Sequence, residues 1–178
     1  MNQDQFKSFK KFKPLFVSLI SVLLLTLLVL GIKSLGYHLI YSTTPSVPQG
    51  LYLVVPAKHL QVNDMVEFVP PLPILSLMQT RHWLPKNHTM LKQVAALAGD
   101  HVCIKDNWLL INGKQAVEIG EATPLPKLTF CDRIAPGRLL LLGTGSSRSF
   151  DSRYFGPIPV ERIIGKAIAI YLNHARPQ

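Results

Sequence analysis

Residues 44–52 read Thr-Pro-Ser-Val-Pro-Gln-Gly-Leu-Tyr and place one hydroxyl, that of Ser46, between two prolines. Proline fixes its own φ and disfavours helical geometry in the residue before it, so Thr44 and Val47 are expected to be extended. A serine on such a braced turn suits a nucleophile, because its position is set before a substrate arrives. Taken alone, the stretch more readily predicts a proline-rich linker between a membrane anchor and a domain, so segments elsewhere in the chain must decide.

Upstream of this stretch, residues 15–32 form an uncharged apolar run. At about 1.5 Å per residue, a helix over this run approaches the roughly 30 Å of a bilayer core. The run exceeds the roughly 7–15 residues of a signal-peptide core, and no Ala-x-Ala-like site follows it, which argues against the competing cleavable signal peptide. We therefore expect a basic cytoplasmic tail over 1–13, a transmembrane anchor over 14–36 and a domain over 37–178.

The formal net charge of +9 is not distributed as in a nucleic-acid-binding protein. Lysines at positions 7, 10, 11 and 13 immediately precede the apolar run, where a positive-inside signal belongs. The other basic residues are scattered and lack the interleaved aromatics of a single-strand-binding face. Anionic membrane lipids are thus the expected partner, and no nucleic acid is expected.

The two cysteines, Cys103 and Cys131, leave the redox chemistry open. One isolated pair without clustered histidines supplies too few ligands for zinc, so no metal or cofactor is expected. Outside the cytoplasm the pair favours a disulfide, which would stabilise the fold by about 3–4 kcal/mol in the loop-entropy model. Two buried free thiols are the alternative.

The chain after the anchor is predicted to be mainly β, because short apolar runs are bounded by Gly, Pro, Asn and Asp. These runs cover residues 51–55, 65–69, 91–98, 101–104, 108–111, 139–142 and 167–172. Four prolines in residues 70–90 exclude a central strand there. That segment is predicted to be a loop with a helical turn packed on the domain, or else an apolar patch dipping into the bilayer.

Lys92 is the candidate base, because it lies in the apolar segment 90–98. Desolvation lowers the pKa of a lysine and makes a neutral amine available. A Ser-His-Asp triad has no comparable support, since the histidines occur in no triad signature. The alternative for Lys92 is the solvated face of an edge strand.

A third polar segment reads Ser-Phe-Asp-Ser-Arg-Tyr-Phe-Gly-Pro-Ile-Pro over residues 149–159. Arginine presents a rigid fork to a carboxylate, so Asp151 and Arg153 can pair and lock a loop. Ser149 can donate or accept a hydrogen bond at the amine of Lys92 and orient it.

Taken in order, these three segments resemble the sequence boxes of the type I signal peptidase family of Ser–Lys proteases. The matching patterns are Ser-x-Pro-x-Gly-Leu-Tyr from Ser46, Lys…Gly-Asp-x-Val from Lys92, and Asp-Ser-Arg-Tyr-Phe-Gly-Pro-Ile from Asp151. The resemblance is closest to the TraF-type peptidases of conjugative transfer. It departs from general signal peptidases in having Ser-x-Pro rather than Ser-Met-x-Pro, Pro45 before the serine, and no room for their large extra domain.

The resemblance implies a single N-terminal transmembrane helix followed by a compact antiparallel-β catalytic domain. It also implies a nucleophile, a general base, an oxyanion-hole hydroxyl, a hydroxyl that orients the base, and a structural ion pair. In that order the matching residues are Ser46, Lys92, Thr44 (acting with the backbone N–H of Ser46), Ser149, and Asp151 with Arg153.

The function implied is that of a membrane-anchored serine endopeptidase that cleaves signal peptides or propeptides from exported proteins. The expected task is maturation of a conjugative pilin, by hydrolysis or by cyclisation, without a cofactor. The expected partners are the precursor protein and the lipids of the bacterial inner membrane, with the N-terminus cytoplasmic and the domain periplasmic. The alternative is a catalytically silent, membrane-anchored component of a transfer or secretion apparatus.

Overall fold

The computed structural model describes residues 3–85, 88–119 and 129–173. The chain divides near His38 into two units, of which the first is built by the helix α1 (Gln3–Ser34). The segment Pro14–Ser34 of this helix is long and apolar enough to cross a membrane, with a mean hydropathy of 2.9 over its apolar window. A signal sequence would meet the same criterion.

The second unit is mainly β. Its elements are β1 (His38–Ser42), β2 (Gly50–Val55), β3 (Met65–Phe68), α2 (Leu72–Thr80), β4 (Met90–Ala96), β5 (His101–Lys105), β6 (Trp108–Ile111), β7 (Lys114–Glu118), β8 (Cys131–Arg133), β9 (Arg138–Leu142), α3 (Ser152–Phe155), β10 (Ile158–Pro159) and β11 (Ile163–Leu172).

Within the described residues the strands form two sheets. The larger has the order β1-β2-β11-β3-β4-β9-β10, and the smaller has the order β7-β6-β5-β8. In the larger sheet, each strand from β2 onward in this order pairs antiparallel with the next, ending at β10. All pairs of the smaller sheet are also antiparallel. The predicted fold, an apolar N-terminal helix followed by an antiparallel-β domain, is confirmed. The edge-strand interpretation of Lys92 is wrong, because β4 lies between β3 and β9.

Strand β9 explains how the two sheets share one core. All four residues of Leu139–Leu142 are buried, which is the reason for an unbroken apolar run rather than an alternating one. Leu140 and Leu142 pack with residues of the smaller sheet such as Leu109, whereas Leu139 and Leu141 pack with Phe68 of the larger sheet. The strand that leads into the polar segment at 149–153 is therefore fixed from both sides.

The smaller sheet contains a tight turn and settles which of the two alternatives for the cysteines the structure adopts. Asn112 and Gly113, a dipeptide typical of hairpin turns, connect β6 to β7, and both have positive φ (50° and 79°), as a tight hairpin requires. Cys103 and Cys131 lie directly opposite each other on β5 and β8 and form a disulfide.

Candidate active site

Ser46 lies in a turn that follows β1, and its surroundings fix its backbone. Its side chain is half-buried, and its Oγ lies 3.1 Å from the Oγ1 of the exposed Thr44. The Ser46 carbonyl accepts a hydrogen bond from the Gly145 N–H at 3.1 Å. Gln49 donates from its side chain to the Thr43 carbonyl at 2.6 Å and closes the turn. The serine is thus held in place by both flanks of its loop.

Two glycines let the segment after β9 approach the Ser46 turn. A Cβ at Gly143 would lie 2.0 Å from Ser149 Oγ and 2.8 Å from the Ser46 carbonyl oxygen. A Cβ at Gly145 would lie 2.2 Å from the Pro45 carbonyl oxygen. Only a residue without a side chain allows these backbones to come together. Sequence reasoning missed both positions, although the Gly-Thr-Gly pattern directly after a buried strand was a usable signal.

Lys92 is buried on β4, with 2% of its surface exposed. Its Nζ donates to Ser149 Oγ at 2.8 Å. Burial lowers the pKa of the Lys92 amine to about 8, while the Asp151 carboxylate raises it and the Arg153 guanidinium lowers it. An appreciable fraction of this lysine is therefore neutral near pH 7–8, as a base requires.

Asp151 and Arg153 form a fully buried, bidentate ion pair. Arg153 Nε donates to one carboxylate oxygen at 2.8 Å and Nη2 to the other at 2.7 Å, and neither side chain is exposed. Asp151 also accepts from the Gly143 N–H at 2.7 Å, and Arg153 Nη1 donates to the Ser147 carbonyl at 2.9 Å. The pair therefore fixes the loop that carries Ser149, the hydrogen-bond partner of Lys92.

A cleft of about 410 Å³ is lined by Thr44, Ser46 and Lys92, the three residues predicted from the sequence to take part in the reaction. One wall is the chain from Ile40 to Ser46, and the other includes residues 88–92 of the segment leading into β4. In the part of the chain that the structure describes, no group of three or more His, Cys, Asp or Glu side chains is placed to hold a metal ion. The cleft thus offers a hydroxyl, a buried amine and a second hydroxyl in one place.

The cleft of this β domain presents a serine and a buried lysine. The chain belongs to the signal peptidase family, peptidase S26, whose family model matches residues 12–172. The resemblance stated from the three sequence boxes is confirmed.

Relatives fall into two groups: conjugal or plasmid transfer proteins named TraF, and peptidases of thylakoids and of Bacillus. The conjugal transfer protein TraF of Agrobacterium tumefaciens (strain 15955) is 28% identical over 151 residues, which cover 78% of this chain and 84% of the relative. The plasmid transfer protein TraF of Escherichia coli is 31% identical over 69% of this chain and 77% of the relative. The thylakoidal processing peptidase 1 of Arabidopsis thaliana is 31% identical over 62% of this chain, but the match spans only 32% of that relative.

The length covered differs between these groups. The chain spans about a third of the thylakoidal peptidases and about half of the Bacillus signal peptidases that it matches. Among solved structures, a signal peptidase I from Enterococcus faecalis V583 matches with a TM-score of 0.39 and 23% identity, covering 61% of this chain and 97% of that one.

Proposed function

We propose that this protein is a membrane-anchored serine endopeptidase in which Ser46 is the nucleophile and Lys92 is the general base. The observation that carries the proposal is the burial of Lys92 beside Ser149 in the cleft that Ser46 also lines. Burying a charge costs free energy unless the charge is paired and hydrogen-bonded, and lysines with a strongly shifted pKa in clefts are typical of functional sites. Membership of the signal peptidase family supports the same conclusion.

The proposed reaction is acyl transfer to Ser46. Neutral Lys92 removes the hydroxyl proton while Ser46 Oγ attacks the scissile carbonyl carbon. The resulting oxyanion accepts hydrogen bonds from Thr44 Oγ1 and the backbone N–H of Ser46. The Lys92 ammonium then gives its proton to the leaving amine as the peptide bond breaks. Water attacks the ester carbonyl, frees Ser46 and releases the new carboxyl terminus, whereas an attacking amine frees Ser46 and releases the acyl group as a new amide.

The proposed substrate is an exported precursor protein. The TraF relatives are named for conjugal and plasmid transfer, which supports a conjugative pilin as the precursor. The proposed topology places residues 1–13 in the cytoplasm, 14–36 in the inner membrane and 37–178 in the periplasm. In that arrangement Ser46 lies close along the chain to the membrane surface, where cleavage sites of translocated precursors emerge.

The proposal is tested by incubating the full chain in membranes with the pilin precursor and measuring the intact mass of the product. A shortened product indicates peptidase activity. A further loss of one water from that product indicates cyclisation, in which the substrate's own amino terminus acts as the attacking amine.

The pH dependence of the reaction follows from the lowered pKa of Lys92. Only the neutral amine accepts the serine proton, so kcat/KM is expected to rise about tenfold per pH unit below about 8 and to level off above it. The measurement is kcat/KM for a peptide without titratable groups near the bond, from about pH 6 to about pH 10. A flat profile, or a rise continuing to the ordinary lysine range near 10.4, would contradict this role for Lys92.

Removing the Thr44 hydroxyl tests the oxyanion hole. Thr44→Val keeps the shape of the side chain but loses the donor, and it is expected to lower kcat by about 10²–10³-fold. Thr44→Ser retains a hydroxyl and is the matched control, expected to keep most of the activity. Equal rates for Thr44→Val and wild type would show that the oxyanion is stabilised elsewhere.

A further inference from the structure

A second, smaller pocket adjoins the proposed reacting groups. It has a volume of about 220 Å³ and is lined by Ser46 and Lys92 together with Met78, Trp83, Met90, Arg148 and Phe150. It is smaller than the roughly 300–1,000 Å³ typical of sites for drug-sized ligands. A pocket of this size suits a single residue of an extended chain that reaches Ser46.

Aromatic contacts hold the wall of this pocket in place. The Phe150 ring lies 5.6 Å from the Trp83 ring, 5.5 Å from the Tyr154 ring and 5.6 Å from the Phe155 ring. Arg81 stacks over Trp83 at 5.0 Å from its centroid. Each of these ring and cation–π contacts is favourable by about 0.5–1.5 kcal/mol, so they stabilise the pocket wall without any contribution from a substrate.

Among the described residues that line this pocket, Arg148 is the one charged residue besides Lys92, and its surroundings differ from those of Arg153. Arg153 is buried and fully paired, whereas Arg148 is exposed and makes no ion pair with any residue in the described ranges. Its backbone N–H donates to Ser146 Oγ at 3.2 Å, which fixes the loop beneath it. An exposed arginine that makes no ion pair within the described residues, at the edge of a mainly apolar pocket, is well suited to bind a carboxylate.

We propose that this pocket is a specificity subsite in which Arg148 pairs with a substrate carboxylate close to the scissile bond. The carboxylate belongs either to an acidic side chain or to the carboxyl terminus of a short leaving peptide, since both present the same group to a guanidinium. This inference rests on the proposed function, because the pocket selects substrates for the reaction at Ser46.

Binding tests the subsite without requiring cleavage. The full chain carrying Ser46→Ala, in detergent micelles, is titrated with peptides that differ only in Glu or Gln beside the cleavage site. A second pair differs only in a terminal carboxylate or amide. In at least one pair the acidic peptide is expected to bind about fivefold more tightly, as for a solvent-accessible ion pair. Because the chain has two tryptophans, a Trp108→Phe background lets Trp83 fluorescence report binding at the pocket.

The same titration on Arg148→Gln is expected to bring the ratio of affinities close to one. Arg162→Gln removes one positive charge outside both pockets and is the matched control, expected to keep the preference. Equal affinities for acidic and neutral peptides in both pairs, or a preference that persists in Arg148→Gln, would overturn the subsite. A preference in binding without cleavage by wild type would instead leave the subsite standing and overturn the peptidase.

Discussion

Ser46→Ala and Lys92→Met are each expected to abolish precursor cleavage, lowering kcat/KM by about a thousandfold or more. Ser46→Ala removes the attacking oxygen, and Lys92→Met removes the base while keeping a side chain of similar length. Because both residues act in one step, the double variant is expected to be no slower than either single variant. The measurement is the rate of appearance of the shortened product by mass spectrometry.

Stability separates a chemical effect from unfolding in these variants. At pH 7 the Lys92 ammonium is buried in the folded protein but lies in water in the unfolded chain. The lowered pKa of Lys92 therefore means that protonated Lys92 decreases the free energy of unfolding below pH 8. Lys92→Met removes this cost and is expected to raise the free energy of unfolding by about 1–3 kcal/mol. Normal conjugative transfer in cells that carry either variant would instead identify the chain as a catalytically silent assembly component that keeps the peptidase fold.

The strands predicted from sequence are those that bury an apolar run. The apolar runs 51–55 and 139–142 were predicted to be strands. They form most of β2 and β9, and both strands contribute buried side chains to the core. Strands β1, β7, β8 and β10 were missed, and each lies at the edge of its sheet. Strands β7 and β8 also expose most of their side chains. Their extended conformation is set by the neighbour with which each pairs, which a local pattern does not show.

The contact between Lys92 and Ser149 was easier to predict from the sequence than the packing around it. The residue types and order of Ser46, Lys92 and Ser149 predicted the contact between the lysine and the second serine, which the structure places at 2.8 Å. The burial of Lys92 was not predictable by spacing, because it depends on β9 pairing with β4 from distant sequence. The close approach at Gly143 and the Trp83–Phe150 contact depend on long-range packing in the same way.

Breaking the buried ion pair is expected to be the largest change in stability. Arg153→Met leaves the Asp151 carboxylate without its bidentate partner at a site with no exposure to water. Removing one partner of such a pair costs about 3–5 kcal/mol, a large share of the roughly 5–15 kcal/mol that stabilises a typical domain. The measurement is the free energy of unfolding by urea, for the full chain in detergent micelles.

The chain supplies its own control in the partly exposed pair between Lys166 and Asp64. Their charged atoms lie 2.6 Å apart, as close as those of the buried pair, but the Lys166 side chain is 39% exposed. Water solvates the groups left behind when that pair is broken, so Lys166→Met is expected to cost less than about 1 kcal/mol. Equal costs for Arg153→Met and Lys166→Met would mean that burial does not set the strength of the Asp151 contact. A several-fold larger cost for Arg153→Met, together with loss of cleavage, would show that this ion pair positions the loop that carries Ser149. Asp151 also accepts a hydrogen bond from the Gly143 backbone, which connects the pair to that loop.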